Sequence, residues 1–139
     1  MARPHGHTPR PLSILVVDDL PDAANSMAEC LVLHGHRAVA VYGGEEALVH
    51  VAAHSTDVVL MDITMPGMDG FELAERVYKQ SLRRRPFLVA VTARTSDADR
   101  QHGREVGFDM YLTKPIEPDL VSDMLDRIAL MLGPASHPG

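Results

Sequence analysis

The stretch from Leu12 to Asp19, LSILVVDD, is a largely apolar run that ends abruptly at two aspartates. Short apolar runs of this kind are typical of strands that are buried on both faces, as they are in parallel sheets. DVVLM at 57–61 is a second such run and ends at Asp62. FLVAV at 87–91 is a third and ends at Thr92. These three runs predict the central strands of a parallel sheet.

Two weaker runs, RAVAV at 37–41 and FDMYLT at 108–113, complete the set of predicted strands. Between the strands, apolar residues recur at intervals of three or four positions, which is the spacing of amphipathic helices. This spacing predicts helices at 21–34, 45–53, 70–82, 97–106 and 118–132. Five strand–helix units in series predict an α/β fold with a doubly wound parallel sheet and helices on both faces.

Apolar stripes indicate which face of a helix packs on the sheet. The first helix is predicted to bury Ala24, Met27, Ala28, Leu31 and Val32. The last helix is predicted to bury Leu120, Val121, Met124, Leu125, Ile128 and Leu132. Gly35 is a predicted end of the first helix, because glycine is frequent just beyond a helix terminus.

The length of 139 residues fits a single domain, and 45% hydrophobic residues are enough to form its core. Pro, His and Gly are frequent at both ends, so we predict flexible tails at 1–11 and 133–139 around a domain at 12–132. The net charge of -6 argues against direct binding of nucleic acid. The sequence shows no signal peptide and no membrane span, and its one cysteine suits a reducing compartment, so we expect a cytoplasmic protein.

Chemically useful residues follow the predicted strands. In an open α/β sheet the carboxyl ends of the strands meet at one edge, which here would collect Asp18, Asp19, Asp62, Thr92 and Lys114. Two carboxylates about 5 Å apart repel by roughly 3 kcal/mol at an effective dielectric of about 20. A cation would offset this repulsion, and oxygen ligands of this kind suit Mg²⁺. A carboxylate can also attack phosphorus to give an aspartyl phosphate, with a metal and an ammonium offsetting the charge.

Four motifs resemble the response-regulator receiver domain of two-component signalling, either stand-alone or of the hybrid-kinase type. They are ILVVDDLPD (14–22), VVLMDITMPGMDGFEL (58–73), LVAVTA (88–93) and GFDMYLTKP (107–115). The resemblance implies a flavodoxin-like (βα)5 fold with the strand order 2-1-3-4-5.

The resemblance also implies a chemical role for several residues. Asp62 corresponds to the phosphoacceptor of the family. Asp18, Asp19 and Asp62, with the backbone carbonyl of Thr64, correspond to the Mg²⁺ ligands. Lys114 corresponds to a lysine that contacts the phosphoryl group.

Further positions of the resemblance concern the response to phosphorylation. Thr92 corresponds to a hydroxyl that contacts the phosphoryl group, and Thr92 and Tyr111 together correspond to the switch pair. Thr64 and Arg94 correspond to positions that tune the lifetime of the phosphoryl group. The Lys114–Pro115 bond is a candidate for the cis isomer, which the family commonly has there.

The function implied is that of a phosphoacceptor in a phosphorelay, which catalyses only its own phosphorylation and slow dephosphorylation. Its expected partners are a histidine kinase or histidine phosphotransfer protein and a downstream protein. The downstream protein would bind the face formed by helix 97–106, strand 108–113 and helix 118–132. No output domain is evident in the sequence, and no contact with nucleic acid or membrane is expected.

Three alternatives remain open at this stage. A phosphatase of the haloacid-dehalogenase type also uses an aspartate nucleophile and Mg²⁺, but it needs a second aspartate where this chain has Thr64. A nucleotide- or flavin-binding module would need a glycine-rich loop after the first strand, and VVDDLPD contains no glycine. The third alternative is a receiver that has lost its chemistry and acts only by binding.

Overall fold

The computed structural model describes residues 10–80 and 84–133 of the chain. The strands are β1 (Ser13–Val17), β2 (Arg37–Val41), β3 (Val58–Met61), β4 (Phe87–Thr92) and β5 (Met110–Thr113). The helices are α1 (Pro21–Leu33), α2 (Gly44–Ala53), α3 (Gly70–Gln80), α4 (Asp97–Val106) and α5 (Pro118–Leu132). No helix within these two ranges is both long enough and apolar enough to cross a bilayer.

The five strands form one parallel sheet in the order β2-β1-β3-β4-β5. This order confirms the flavodoxin-like topology implied by the sequence motifs. The register pairs Val17 of β1 with Met61 of β3, and Met61 with Ala90 of β4. The central strands therefore end at nearly the same level, which brings the residues that follow them together.

The core consists of two layers, one on each face of the sheet. Alternate residues of a strand point to opposite faces, so Leu15 and Val17 belong to one layer while Ile14 and Val16 belong to the other. Helices α2, α3 and α4 cover the first face, and α1 and α5 cover the second. Burial on both faces explains why the central strands lack the polar alternation of a half-exposed sheet.

The element limits differ from the prediction at a few positions. Strand β3 begins at Val58, one residue later than the predicted run, and the carboxylate of Asp57 before it accepts a hydrogen bond from the N–H of Ser13 (2.8 Å). Strand β5 begins at Met110, since Gly107 turns the chain with φ of 112° and Phe108 is buried among the helices. Helix α3 is described to Gln80, and the predicted residues 81–82 lie outside the described ranges.

Two residues of the predicted apolar stripes are exposed. Val32 in α1 has an exposed fraction of 53%, and Leu120 in α5 has one of 58%. At about 100° per residue, Val32 lies about 80° around the helix axis from the buried Ala24, and Leu120 lies about 140° from the buried Leu125. Both side chains therefore fall at or beyond the edge of the buried helix face. The prediction was wrong for both residues, whereas Gly35 does follow the end of α1 with a positive φ of 94°.

Asp57 lies at the amino end of the parallel strands, where its carboxylate accepts several hydrogen bonds. Arg10 donates two hydrogen bonds to this carboxylate (3.1 and 3.2 Å), and Arg84 donates a third (2.9 Å). Arg10 also donates to the carbonyl of Gly133 (2.9 Å), so two residues that we assigned to the tails contact the domain or each other. The proposed limits of 12–132 for the domain stay a prediction, as most of both tails lies outside the described residues.

Candidate functional site

Four parallel strands end at one edge of the sheet, and a polar residue stands at each end. Asp18 and Asp19 follow β1, Asp62 follows β3, Thr92 is the last residue of β4, and Lys114 follows β5. The backbone N–H of Lys114 donates to the carbonyl of Thr92 (2.9 Å), which joins the last two strands at this point. The structure thus brings together the residues that the sequence predicts to meet.

The three aspartates form a compact group of oxygen atoms. One carboxylate oxygen from each of Asp18, Asp19 and Asp62 lies within 4.8 Å of the other two. Asp18 is buried, and its Oδ1 also accepts a hydrogen bond from the N–H of Leu20 (3.0 Å), where α1 begins. Within the described residues this is the only cluster of three or more potential metal-binding side chains.

Lys114 provides the positive charge of the site. Its Nζ donates to Oδ2 of Asp62 (2.9 Å) and lies 3.4 Å from Oδ2 of Asp18. Burial lowers the pKa of the Lys114 ammonium, but the hydrogen bonds and charges of the two aspartates outweigh it and hold the pKa above its usual value. The ammonium therefore remains charged beside Asp62 at neutral pH. The Lys114–Pro115 bond that follows is cis.

Asp62 is held through both of its carboxylate oxygens. Lys114 contacts Oδ2, and the N–H of Thr64 donates to Oδ1 (3.1 Å). The side chain of Asp62 has an exposed fraction of only 12%, so its carboxylate is oriented rather than freely rotating. Thr64 lies beside the aspartate as predicted, while the role of its carbonyl as a metal ligand stays a prediction.

The loop between β3 and α3 folds back closely over Asp62. The N–H of Gly70 donates to the carbonyl of Ile63 (2.9 Å). A Cβ atom at position 70 would lie 2.7 Å from both the carbonyl oxygen of Asp62 and the Cα of Ile63. Glycine is required at this position because the backbone that carries Asp62 occupies the space of a side chain.

Thr92 and Tyr111 are both hydrogen-bonded to Arg94. Thr92 is fully buried, and its Oγ1 accepts a bond from the N–H of Arg94 (3.2 Å). The hydroxyl of Tyr111 donates to the carbonyl of Arg94 (2.7 Å). Burial of the Tyr111 ring and the negative charge of Asp99 raise the pKa of its hydroxyl, which therefore stays protonated as a donor.

Comparison with known families gives a match to the response regulator receiver domain over residues 14–126. The chain belongs to this family. It is 30% identical over 115 residues to protein PilH of Pseudomonas aeruginosa, and the match covers 83% of this chain and 95% of PilH. It is 37% identical over 125 residues to the transcriptional regulatory protein TcrA of Mycobacterium tuberculosis, but that match covers only 48% of TcrA.

Solved structures agree with this assignment. The chemotaxis protein CheY4 of Vibrio cholerae superimposes with a TM-score of 0.80 at 30% identity, covering 85% of this chain and 98% of CheY4. The receiver domain of the Francisella response regulator 1452 gives a TM-score of 0.80 at 25% identity, covering 88% of this chain and 99% of that domain. The chain is therefore a signalling receiver domain rather than a metabolic enzyme, which argues against the phosphatase and nucleotide-binding alternatives.

The receiver domain contains an ion pair near the site that we did not predict. The guanidinium of Arg94 donates to Oδ1 of Asp99 in the first turn of α4 (2.8 Å), and its Cζ lies 5.3 Å from the centre of the Phe71 ring. The sequence signal for Asp99 was an acidic residue at the start of a helix, which commonly indicates only a favourable interaction with the helix dipole. The described contacts of the Arg94 side chain are thus to α4 and α3.

An apolar cleft of about 500 Å³ opens beside the acidic cluster of the receiver domain. Asp18, Asp62 and Lys114 form its polar end. The rest of the lining is mostly apolar and comes from β1, α1, β3, β4 and the segment after β5, namely Val16, Val17, Ala23, Met27, Leu60, Met61, Val91, Pro115 and Ile116. The candidate site can therefore be approached from a groove with apolar walls.

Proposed function

We propose that this receiver domain accepts a phosphoryl group on Asp62 from a histidine kinase or a histidine phosphotransfer protein. The observation that carries the proposal is the 2.9 Å contact between Nζ of Lys114 and Oδ2 of Asp62, inside a cluster of three carboxylates. A carboxylate that is oriented by an ammonium and a backbone N–H has the geometry of a prepared nucleophile. The phosphorylated domain would then bind a downstream protein differently.

The acidic cluster fits Mg²⁺. The three carboxylate oxygens lie close enough together to serve one ion, and Mg²⁺ prefers oxygen ligands of this kind. Asp18, Asp19, Asp62 and the carbonyl of Thr64 are the proposed ligands. Bound there, Mg²⁺ would offset the negative charge of the phosphoryl oxygens and of the carboxylates.

In the proposed transfer, a carboxylate oxygen of Asp62 attacks the phosphorus atom of a phosphohistidine. The new O–P bond forms as the P–N bond of the donor breaks, and the imidazole nitrogen keeps the electron pair and takes up a proton. The ammonium of Lys114 would stabilise the negative charge that develops on the phosphoryl oxygens, because it already lies between Asp62 and Asp18. Slow dephosphorylation is the attack of water on phosphorus, which returns inorganic phosphate and the carboxylate.

Thr92 and Tyr111 are the proposed switch. If the Thr92 hydroxyl turns to a phosphoryl oxygen, its bond to the N–H of Arg94 is weakened or lost, and the carbonyl of Arg94 holds Tyr111. Movement of this loop would therefore reach β5 directly. The proposed output surface is the face of helix 97–106, strand 108–113 and helix 118–132, and Arg94 and Thr64 are proposed to influence how long the phosphoryl group survives.

The proposed partners follow from this chemistry: a histidine kinase or phosphotransfer protein as the donor, and a separate protein as the receiver of the signal. We propose no contact with nucleic acid, because the net charge of -6 disfavours it. A cytoplasmic location is part of the proposal, because histidine kinases draw their phosphoryl groups from ATP. The alternative of a receiver without chemistry is decided by the experiment below.

Intact mass spectrometry tests the proposal. The domain is incubated with Mg²⁺ and acetyl phosphate, and we expect it to gain one phosphoryl group, whereas Asp62→Asn gains none. Asp22→Asn is the matched control, because Asp22 is an exposed carboxylate in the first turn of α1 and should leave the gain unchanged. A wild-type mass that does not change, or an equal gain in Asp62→Asn, would disprove phosphorylation at this residue.

A further inference from the structure

Arg94 is attached to its surroundings at three points. Its N–H donates to Oγ1 of Thr92 (3.2 Å), its carbonyl accepts from the hydroxyl of Tyr111 (2.7 Å), and its guanidinium donates to Oδ1 of Asp99 (2.8 Å). The backbone of Arg94 thus joins the two proposed switch residues. The side chain of the same residue joins them to the first turn of α4.

Asp99 is itself held in a defined place. Its N–H donates to Oγ of Ser96 (3.0 Å), which is the N-cap of α4, so the cap fixes the backbone that carries the carboxylate. The side chain of Asp99 has an exposed fraction of 20%, against 44% for Arg94. The guanidinium is therefore the more exposed member of the pair, and Asp99 is the member whose backbone is held by the cap.

The described contacts direct the Arg94 side chain to α3 and α4. Its Cζ lies over the ring of Phe71 at 5.3 Å, on the side of the ion pair with Asp99. That ring belongs to the residue after Gly70, and a Cβ atom at position 70 would lie 2.7 Å from the carbonyl oxygen of Asp62. Arg94 therefore contacts Phe71 and Thr92, which both adjoin the candidate site, although Asp99 was not among the predicted site residues.

We propose that Asp99 is a positioning residue that holds the Arg94 guanidinium on α4 while Asp62 is unmodified, and that a phosphoryl group on Asp62 competes with Asp99 for this guanidinium. This inference rests on the proposed phosphorylation of Asp62. An exposed ion pair is weak enough to exchange. A phosphoryl group carries more negative charge than a carboxylate and accepts bidentate hydrogen bonds from arginine, so it is the stronger competitor.

The exchange has a consequence for the output surface. When the guanidinium leaves Asp99, the first turn of α4 loses its side-chain link to the loop after β4. Helix α4 keeps its cap at Ser96 but is no longer tied to Arg94. Phosphorylation would therefore loosen α4, because the phosphoryl group displaces Asp99 from Arg94. This effect would be separate from any hydrogen bond between Thr92 and the phosphoryl group.

Binding of beryllofluoride in the presence of Mg²⁺, measured by titration calorimetry, tests the competition. Asp99→Asn should tighten the binding by about two- to fivefold, because an exposed ion pair of this kind no longer competes. Arg94→Ala should weaken the binding, and the double variant should bind like Arg94→Ala alone. Asp99→Glu, which keeps the carboxylate, should restore the affinity of the wild type.

Asp97→Asn is the matched control for this experiment. Asp97 lies in the same first turn of α4, is exposed, and has none of the contacts described for Asp99. An affinity of Asp99→Asn equal to that of Asp97→Asn would overturn the proposal, as would an equal tightening by Asp99→Asn when Arg94 is absent. If the wild type gains a phosphoryl group but Asp99→Asn behaves like the control, only this inference fails. A wild type that gains no phosphoryl group and binds no beryllofluoride refutes both proposals.

Discussion

The hydroxyl of Tyr111 lies 2.7 Å from the carbonyl oxygen of Arg94, and this hydrogen bond joins β5 to the loop that follows β4. Arg94 also donates its N–H to Thr92, so a buried hydroxyl at the acidic site and a half-buried phenol on the output surface share one residue. A change at Thr92 therefore has a short, hydrogen-bonded route to Tyr111. Such a route is what a two-state switch requires, provided that the phosphoryl group favours one of its states.

Hydrogen exchange with and without beryllofluoride and Mg²⁺ measures how far this route carries a change. We expect altered protection in residues 97–112 as well as in the loops around Asp62, because Arg94 and Tyr111 link these segments. Changes confined to the loops near Asp62 would contradict the proposed switch.

Tyr111→Phe removes only the bond to Arg94 and keeps the ring. The unfolding free energy should fall by at most about 1 kcal/mol, since a single hydrogen bond is lost. The beryllofluoride-dependent change in residues 97–106 should become clearly smaller than in the wild type. Tyr42→Phe is the matched control. The hydroxyl of Tyr42 donates to Asn25 of α1, and Tyr42 follows β2, which is at the opposite end of the strand order from β5. Equal exchange in Tyr111→Phe and the wild type would show that the hydroxyl is not needed for coupling.

Asp19→Asn tests whether the acidic cluster binds Mg²⁺. An ion that binds only the folded state stabilises it, so Mg²⁺ at roughly tenfold its dissociation constant should raise the melting temperature of the wild type by about 3–7 °C. Asp19→Asn should lose most of this gain, because one of the three clustered carboxylate charges is removed. Asp22→Asn, which alters an exposed carboxylate nearby, should keep it. A wild-type melting temperature that does not respond to millimolar Mg²⁺ would argue strongly against the site.

The sequence was informative about the site because of where the buried strands end. Asp62 and Lys114 could be predicted to meet, since both follow predicted strands of one parallel sheet and the carboxyl ends of such strands lie together. The partnership of Arg94 with Asp99 could not, because it depends on the path of a short loop that no periodic pattern describes. Val32 was misjudged for a similar reason, as the width of a buried helical face depends on the packing of its neighbours.

The role of Asp57 was missed as well. We predicted it as the first residue of a strand, whereas its carboxylate joins Arg10, Arg84 and the N–H of Ser13 at the amino edge of the sheet. These partners come from three separate parts of the chain, so only the folded arrangement shows them. The same contacts make Asp57 the clearest source of pH-dependent stability away from the candidate site.

Asp57→Asn should lower the unfolding free energy at pH 7 by about 1–3 kcal/mol, the range for hydrogen bonds to a charged group. Burial raises the pKa of the Asp57 carboxyl, but its hydrogen bonds to Arg10 and Ser13, with the charges of Arg10 and Arg84, outweigh this and leave the pKa below its usual value. A carboxyl with a lowered pKa in the folded state contributes stability above the unfolded pKa and loses it as the pH falls through the folded pKa.

Urea unfolding at pH 7 and at pH 3 measures this contribution. The difference between the wild type and Asp57→Asn should shrink at the lower pH, because the carboxyl of the unfolded chain binds a proton there more readily than the folded carboxyl with its lowered pKa. Glu29→Gln, an exposed change on α1, should show almost no difference at either pH. A gap between the wild type and Asp57→Asn that is the same at both pH values would contradict the assignment.

Gly103→Ala and Gly107→Ala, at the C-terminal end of α4, should differ in their effect on the unfolding free energy. A Cβ at position 103 would lie 2.9 Å from Cδ2 of Tyr111, so the ring must shift, while alanine gains about 1 kcal/mol of helix propensity over glycine. We therefore expect little change in stability but a displaced Tyr111, seen as altered ring resonances by NMR. At position 107 the Cβ would overlap the Tyr78 ring, and φ of 112° is unfavourable for alanine, so the unfolding free energy should fall by about 2–4 kcal/mol. Unchanged Tyr111 resonances in Gly103→Ala would show that the ring does not occupy the space left by this glycine.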